Sequence, residues 1–307
     1  MKQKYKMIAI DLDGTLLSPT GKVTKRAKDA VHQALKSGLL VCFATGRNWT
    51  ESRTVVEAVE HYSTAVFAGG AMVVDTERDV TLHKMMMDPA LAAELSAHLE
   101  AEGHAVLALQ DTDVAGVDYL VTGEAELNEA TLAWTRITDA KIRRVPRLGD
   151  HDHRHTVRVG IVAAREDVQR STLTLTQQFG DRIVQQSLYV PAYRVEVLEV
   201  FDPAVNKWQG ILHVARHHGI EPGEIIAVGD DVNDIPMLRS AGLGVAMGNA
   251  RPEIHAIADR VIGTNADEGL AQFLEELVAD HAVQPLAEVD AEVDAQSKAE
   301  TGAKAPD

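Results

Sequence analysis

Short apolar runs punctuate the first part of the chain, and each ends in polar residues and glycine. Met7-Ile8-Ala9-Ile10 stops at Asp11-Leu12-Asp13-Gly14, Leu39 to Ala44 stops at Thr45-Gly46-Arg47, and Ala65 to Phe67 stops at Gly69-Gly70. Runs this short, without polar alternation, predict strands of a parallel sheet buried on both faces. Val23 to Lys36 carries Ala27, Val31 and Leu35 on one stripe and meets Gly38, which predicts an amphipathic helix with a glycine stop. Thr50 to His61 predicts another, with Thr50 as its N-cap. Strand and helix alternate, so βαβ units are expected. Ala71 to Leu82, broken by Asp75-Thr76-Glu77-Arg78-Asp79, reads as a hairpin with a polar turn.

The pattern then changes. Asp88-Pro89 marks a helix start, and that helix runs to about Glu102 before Gly103. Strands follow near Ala105 to Gln110 and Tyr119 to Thr122, with a helix near Glu124 to Thr135. A strand at Thr156 to Ala163, a helix at Glu166 to Phe179 and a strand at Ile183 to Tyr189 complete the segment. These elements suffice for a separate small sheet with helices on one face. From Tyr193 the first pattern resumes: a strand at Val195 to Phe201, a helix at Ala204 to His218 carrying Lys207, and an apolar strand at Glu224 to Gly229. That strand ends in Asp230-Asp231-Val232-Asn233-Asp234. A short helix (Ile235 to Ser240), a strand (Leu243 to Met247), a helix opened by Pro252 and a last helix (Asp267 to Asp280) follow.

The expected fold class is therefore α/β, with a doubly wound parallel-sheet core at 1–84 and 190–281. An α/β domain is inserted at 85–189. Residues 282–307 are rich in Ala, Glu and Asp and lack aromatics, which predicts a disordered acidic tail.

Composition narrows the partners. A formal charge of −16 over 307 residues argues against a general nucleic-acid or anionic-membrane surface, since both are polyanions. It leaves room for a small anionic substrate in a pocket where a metal ion and basic side chains reverse the local field. The single cysteine, Cys42, permits no internal disulfide and sits in an apolar run, which fits a buried inert thiol in a reducing compartment. No run of about 18 apolar residues suggests a membrane span, and the basic Met1 to Lys6 leads into too short an apolar run for a signal peptide. A cytoplasmic location is expected; the oligomeric state is not readable.

Three predicted strands thus end in reactive groups: Asp11 and Asp13; Thr45, Gly46 and Arg47; and Asp230 to Asp234. Strand ends on one side of a parallel sheet converge on one pocket. Asp11 and Asp13 offer hard oxygens suited to Mg²⁺, and Lys207 supplies a cation. A carboxylate nucleophile, a second acid, a hydroxyl with backbone amides, a lysine and an acidic patch suit phosphoryl transfer.

The series DLDGTLL, ATGR, a lone lysine and GDDVNDIPML resembles the haloacid dehalogenase superfamily of aspartyl-phosphate phosphohydrolases. An α/β insert between the second and third motifs is similar to its Cof-type branch, which carries a large cap. The resemblance spans roughly residues 5 to 280. It implies Asp11 as nucleophile and Mg²⁺ ligand, and Asp13 as general acid/base that binds Mg²⁺ through its backbone carbonyl. It implies the Leu12 amide, the Thr45 hydroxyl and the Gly46 amide as phosphoryl ligands, with Lys207 neutralising nucleophile and phosphate. Asp230 would bind the metal directly, Asp234 from a second layer or through water, and Asn233 would touch phosphate; Arg47 would meet the substrate. Two positions depart from the pattern. Gly69-Gly70-Ala71 stands where Asn-Gly-Ala is frequent, and Trp208 follows the lysine where a small residue is usual.

The resulting expectation is a Mg²⁺-dependent phosphatase of a small phosphomonoester, a sugar phosphate or a phosphorylated cofactor. A phosphomutase or phosphotransferase on the same core is one alternative, and a receiver-like phospho-signalling module another. His151, His153 and His155 have a spacing open to metal ligation, but an exposed polar loop is the preferred reading. Met85-Met86-Met87 reads as ordinary packing at the junction of the two domains.

Overall fold

The computed structural model describes residues 5–190 and 193–280. The chain opens with β1 (Met7–Ile10), α1 (Lys25–Lys36), β2 (Leu40–Phe43), α2 (Trp49–Val59) and β3 (Thr64–Phe67), then the hairpin β4 (Met72–Asp75) and β5 (Val80–Lys84). A second group follows: α3 (Pro89–Ala101), β6 (Val106–Gln110), α4 (Thr112–Ala115), β7 (Tyr119–Thr122), α5 (Glu129–Thr138), β8 (Ile142–Arg144), β9 (Thr156–Ala163), α6 (Arg165–Phe179), β10 (Val184–Val190) and β11 (Val195–Phe201). The last group is α7 (Lys207–His217), β12 (Ile225–Gly229), α8 (Ile235–Ser240), β13 (Leu243–Ala246), α9 (Pro252–His255), β14 (Arg260–Val261) and α10 (Gly269–Asp280).

The core is a five-stranded sheet in the order β14-β13-β12-β1-β2, parallel throughout. Its side chains alternate between two buried faces. Ile8, Ile10, Val41, Phe43 and Val228 pack with Val31 of α1, Val56 of α2 and Leu274 of α10. Met7, Ala9, Cys42 and Ala227 pack with Trp208 and Ile211 of α7 and Leu238 of α8. Helices on both faces bury every strand position, and this is why the runs carry no polar alternation. Ile10 lies in register with both Phe43 and Val228, so the three central strands end level. β3 touches this sheet through a parallel bridge, Ala44 to Val66, but otherwise pairs antiparallel in the sheet β3-β4-β5. The short turn at 68–71 brings β4 straight back along it.

The second sheet has six strands in the order β10-β11-β9-β6-β7-β8, antiparallel except for β7 with β8. Leu95 of α3 and Leu175 of α6 cover the face that carries Val106, Ala108, Val159 and Leu198. The opposite face, with Leu107, Leu109 and Tyr119, joins the core's apolar cluster, and Trp134 of α5 packs there too. Helices therefore lie on both sides of this sheet, not on one.

Residues 195–201 form a strand as expected, but it pairs with β9 and β10 rather than joining the parallel sheet. An alternating strand carries no label for the sheet it joins. Helix α2 is capped by Asn48, not Thr50: Asn48 accepts from the Glu51 amide at 2.8 Å and Glu51 returns the bond, a capping box. Helix α5 starts later than expected because the Asn128 side chain caps it at the Thr131 amide. Strand β8 escaped the sequence reading because all three of its residues are exposed and two are arginines. The predicted tail lies outside the described residues. Among the described residues, no helix is long and apolar enough to cross a membrane.

Candidate active site

The level strand ends bring Asp11, Thr45 and Asp230 to one edge of the core sheet. Asp11 follows β1 and is anchored by its amide to the Val228 carbonyl at 3.1 Å. The chain then turns sharply: Gly14 has φ +77°, and a Cβ on it would lie 2.0 Å from Asp230 Oδ2. Only glycine fits this turn while Asp230 keeps its place. Thr15 Oγ1 donates to Asp230 Oδ1 at 3.3 Å.

Lys207 is the first residue of α7, whose N-cap Asn206 accepts from the Gln209 amide. The helix start is pressed against Gly70, where a Cβ would lie 2.0 Å from the Asn206 carbonyl oxygen. That contact aims Lys207 inward. Its Nζ donates to Asp11 Oδ1 and to Asp234 Oδ1, both at 2.6 Å, and the residue is only 1% exposed. Asp234 Oδ2 accepts from the Asp230 and Asp231 amides at 2.9 and 3.1 Å. Asp234 therefore fixes both the lysine and the loop that presents Asp230.

Oxygens of Asp11, Asp230 and Asp234 lie within 4.8 Å of one another. Burial pushes the Asp11 carboxyl well above the usual carboxylate range; Lys207 pulls it down, while Asp234, Asp13 and Asp230 add to the rise. Asp230 is raised to about 7, by burial first and then by Asp234 and Asp231. Burial alone would lower the Lys207 ammonium, but Asp11 and Asp234 outweigh it and the net shift is upward. One lysine does not balance three crowded carboxylates. The excess negative charge and the all-oxygen donor set fit a hard divalent cation such as Mg²⁺.

Asp13 stands apart from this cluster. Its side chain is 51% exposed and is gripped by Arg47, Nε to Oδ2 at 2.7 Å and NH2 to Oδ1 at 2.5 Å. Thr45 is buried, and its Oγ1 accepts from the Arg47 amide at 3.1 Å. The space on the Gly46 Cα is bounded by Asn233 Nδ2, 3.6 Å from the position of a Cβ, and by Gln186 Nε2 of β10 at 4.0 Å. Asn233 Oδ1 is buried without a hydrogen-bond partner. A cleft of about 1100 Å³ opens from Asp13 and Arg47 beneath the six-stranded sheet.

Buried Asp11, Lys207 and Asp234 thus form one cluster with half-buried Asp230, Thr45, Gly46 and Asn233 adjoin it, and Asp13 with Arg47 faces the cleft. Two groups escaped the sequence reading. Asn249 donates to the Gly14 carbonyl at 2.8 Å and to Asp230 Oδ2 at 3.4 Å. It follows β13, so the strand-end rule that found the others reaches it as well. Arg158 and Glu199 lie inside strands of the second sheet and Tyr119 opens another, and no local signal marks them.

The remaining candidates are structural. Burial raises the Cys42 thiol to about 12, which makes it a poor nucleophile. His153 is buried, with Nδ1 against the His151 carbonyl and Nε2 against the Pro89 carbonyl. Met85 packs in the core's cluster and Met87 in that of the second sheet. Trp208 is 8% exposed within the core and does not line the cleft.

A family model described as haloacid dehalogenase-like hydrolase matches residues 8–274. The 5-amino-6-(5-phospho-D-ribitylamino)uracil phosphatase YitU of Bacillus subtilis is 29% identical over 279 residues, covering 90% of this chain and 98% of its own. The HMP-PP phosphatase of Serratia proteamaculans is 26% identical over 276 residues, covering 88% and 94%. The crystal structure of a haloacid dehalogenase-like hydrolase from Bacteroides thetaiotaomicron superposes with a TM-score of 0.74 at 21% identity, covering 89% of this chain and all of that one.

Proposed function

The chain belongs to the haloacid dehalogenase-like hydrolases, and on that premise we propose that it is a Mg²⁺-dependent phosphatase of a small phosphomonoester, working through an aspartyl-phosphate. The observation that carries this is the Asp11–Lys207–Asp234 triad, buried at the level end of the sheet beside Asp230. Asp11 Oδ1 is held by Lys207, which leaves Oδ2 to attack phosphorus. The new bond is Asp11 O–P, and the bond that breaks joins phosphorus to the leaving oxygen. Asp13 protonates that oxygen, then takes a proton from the water that hydrolyses the aspartyl-phosphate. Arg47 grips the Asp13 carboxylate, so Arg47 exchanges this partner for substrate before Asp13 acts. Thr45, the Leu12 and Gly46 amides, Asn233 and Lys207 receive the phosphoryl oxygens. Mg²⁺ would be held by Asp11 and Asp230, by the Asp13 carbonyl and, through water, by Asp234. When bound, it supplies charge neutralisation for the phosphoryl group.

We place the cap between about residue 85 and about residue 202, because β11 belongs to its sheet. The cleft beneath the cap supports a ring-bearing leaving group, such as a phosphorylated cofactor, over a bare sugar. Trp49, Trp134 and Tyr119 line it together with Leu107, Leu109 and Val197, and flat apolar rings are what such walls bury well. The name of the Bacillus relative, a uracil-compound phosphatase, points the same way. A receiver-type switch has no use for such a cleft.

Asp11→Asn tests the chemistry. With Mg²⁺ and p-nitrophenyl phosphate, kcat should fall by roughly 10⁴-fold or more, as loss of a covalent nucleophile does. Turnover near wild type would end the proposal.

A further inference from the structure

The structure assigns Arg158 a positioning role: through the Gly46–Arg47 peptide, this cap residue sets the hydroxyl of Thr45. The inference deepens the reading above, since it takes Thr45 as a phosphoryl ligand.

Arg158 projects from the middle of β9 and is 6% exposed. Its NH1 donates to the Gly46 carbonyl at 3.0 Å. The other end of the same peptide, the Arg47 amide, donates to Thr45 Oγ1 at 3.1 Å. One peptide plane therefore links a cap guanidinium to the Thr45 hydroxyl. A guanidinium on the carbonyl side polarises the peptide and strengthens its N–H as a donor. With that N–H on the Thr45 oxygen, the hydroxyl proton is left to donate elsewhere.

The guanidinium is itself fixed. It forms an ion pair with Glu199 of β11, and its NH2 donates to the Tyr119 hydroxyl at 2.9 Å. The Tyr119 hydroxyl donates to Glu51 Oε1 at 3.1 Å and accepts from Asn48 Nδ2 at 3.2 Å. Glu51 Oε2 accepts from the Asn48 amide at 3.2 Å. The loop after β2 is thus held at Gly46 and again at Asn48, by three cap strands and the first turn of α2. If the cap lifts, the Gly46 carbonyl loses its charged donor and the Thr45 hydroxyl loses its orientation. A seated cap and an ordered phosphate-binding loop become one condition.

Arg158→Met and the milder Arg158→Lys, in the full chain with Mg²⁺, provide the test. Three probes are compared: p-nitrophenyl phosphate, a bulky ring-bearing phosphomonoester such as flavin mononucleotide, and orthophosphate as inhibitor. Positioning through the loop predicts the same loss of kcat/KM for both esters in Arg158→Met, roughly 10- to 100-fold as for other groups that orient a binding residue. Orthophosphate inhibition weakens in parallel, and Arg158→Lys recovers part of both. A loss confined to the bulky ester, with orthophosphate unaffected, makes Arg158 a leaving-group ligand and overturns the proposal. Hydrogen exchange of the 45–48 segment in the substrate-free protein decides the coupling without any turnover. Faster exchange in Arg158→Met, with the core strands unchanged, supports it; unchanged protection of that segment rejects it. If the wild type hydrolyses no phosphomonoester, the catalytic reading fails, and the exchange measurement still decides whether Arg158 holds the loop. Should Arg158→Met not fold, Glu199→Gln weakens the same guanidinium's anchor while keeping a polar acceptor, and the same exchange criterion applies.

Discussion

Two buried polar clusters lie close together in this molecule, one at the end of the core sheet and one at the seam between core and cap. The first gathers Asp11, Asp230 and Asp234 around a single lysine. The second sets Arg158 among Glu199, Glu51 and the Tyr119 hydroxyl, where nearly every donor has an acceptor. Crowded like charges with one counterion are costly unless something further binds. A network in which each group has its partner holds elements in place and asks for no ligand. The excess charge thus marks the place where chemistry is proposed, and the satisfied network marks the joint that positions it.

Lys207→Met breaks the comparison most strongly. It leaves Asp11 and Asp234 buried without their cation, and removal of one partner from a buried pair typically costs about 3–5 kcal/mol. Urea unfolding at pH 7 should show a loss of that size, and activity should vanish. Added Mg²⁺ should return part of the stability, because it supplies the missing positive charge. A variant as stable as wild type without Mg²⁺ would mean that the cluster is not charge-strained.

A smaller effect sharpens the same contrast. The Asp230 carboxyl is raised from its ordinary 3.8 to about 7, and Asp11 is raised as well. Between these values the folded protein binds more protons than the unfolded chain. Metal-free stability should therefore fall as pH rises from about 4 to about 7, then level off as far as Asp230 is concerned. Mg²⁺ requires the deprotonated carboxylates, so the rise in Tm on adding Mg²⁺ should grow from pH 5 to pH 8. Asp230→Asn should flatten that growth. An increment independent of pH in the wild type counts against these carboxylates as the metal site. Glu51, at the seam, is also raised, by burial first and then by Glu199, with Arg158 opposing, but Mg²⁺ should leave its contribution unchanged.

The two clusters also differ in how far the sequence announces them. Asp11, Thr45 and Asp230 stand directly after unbroken apolar runs, and a parallel sheet must bring its strand ends together. The local pattern therefore implies the long-range contact. Lys207 was legible only through its place in the series, since a lysine at a helix start carries no signal alone. Arg158, in TVRVGIVA, and Glu199, in VEVLEVF, occupy polar positions of alternating strands and read as solvent-facing. Their burial depends on which face of the six-stranded sheet the core covers. That follows from docking two units, and no window of residues contains it. The misplacement of β11 has the same origin: strand character is local, sheet membership is not.

Gly69 tests the seam with the smallest change. It has φ +65°, and a Cβ there would lie 3.4 Å from Phe201 Cζ and 3.7 Å from Gln186 Nε2. Asparagine tolerates this backbone region better than other residues that carry a side chain, so Gly69→Asn should cost about 1 kcal/mol or less. Its amide would enter the space between the core loop and the cap residues Gln186 and Phe201, away from the Asp11–Lys207 pair. The expected result is a KM for a ring-bearing phosphomonoester that changes several-fold, with kcat for p-nitrophenyl phosphate within about twofold of wild type. Binding at the seam and reaction at the strand ends then vary separately. If kcat for the small ester falls as far as kcat/KM for the large one, position 69 acts on the reacting centre itself, and the division of labour between the two clusters is wrong at that point.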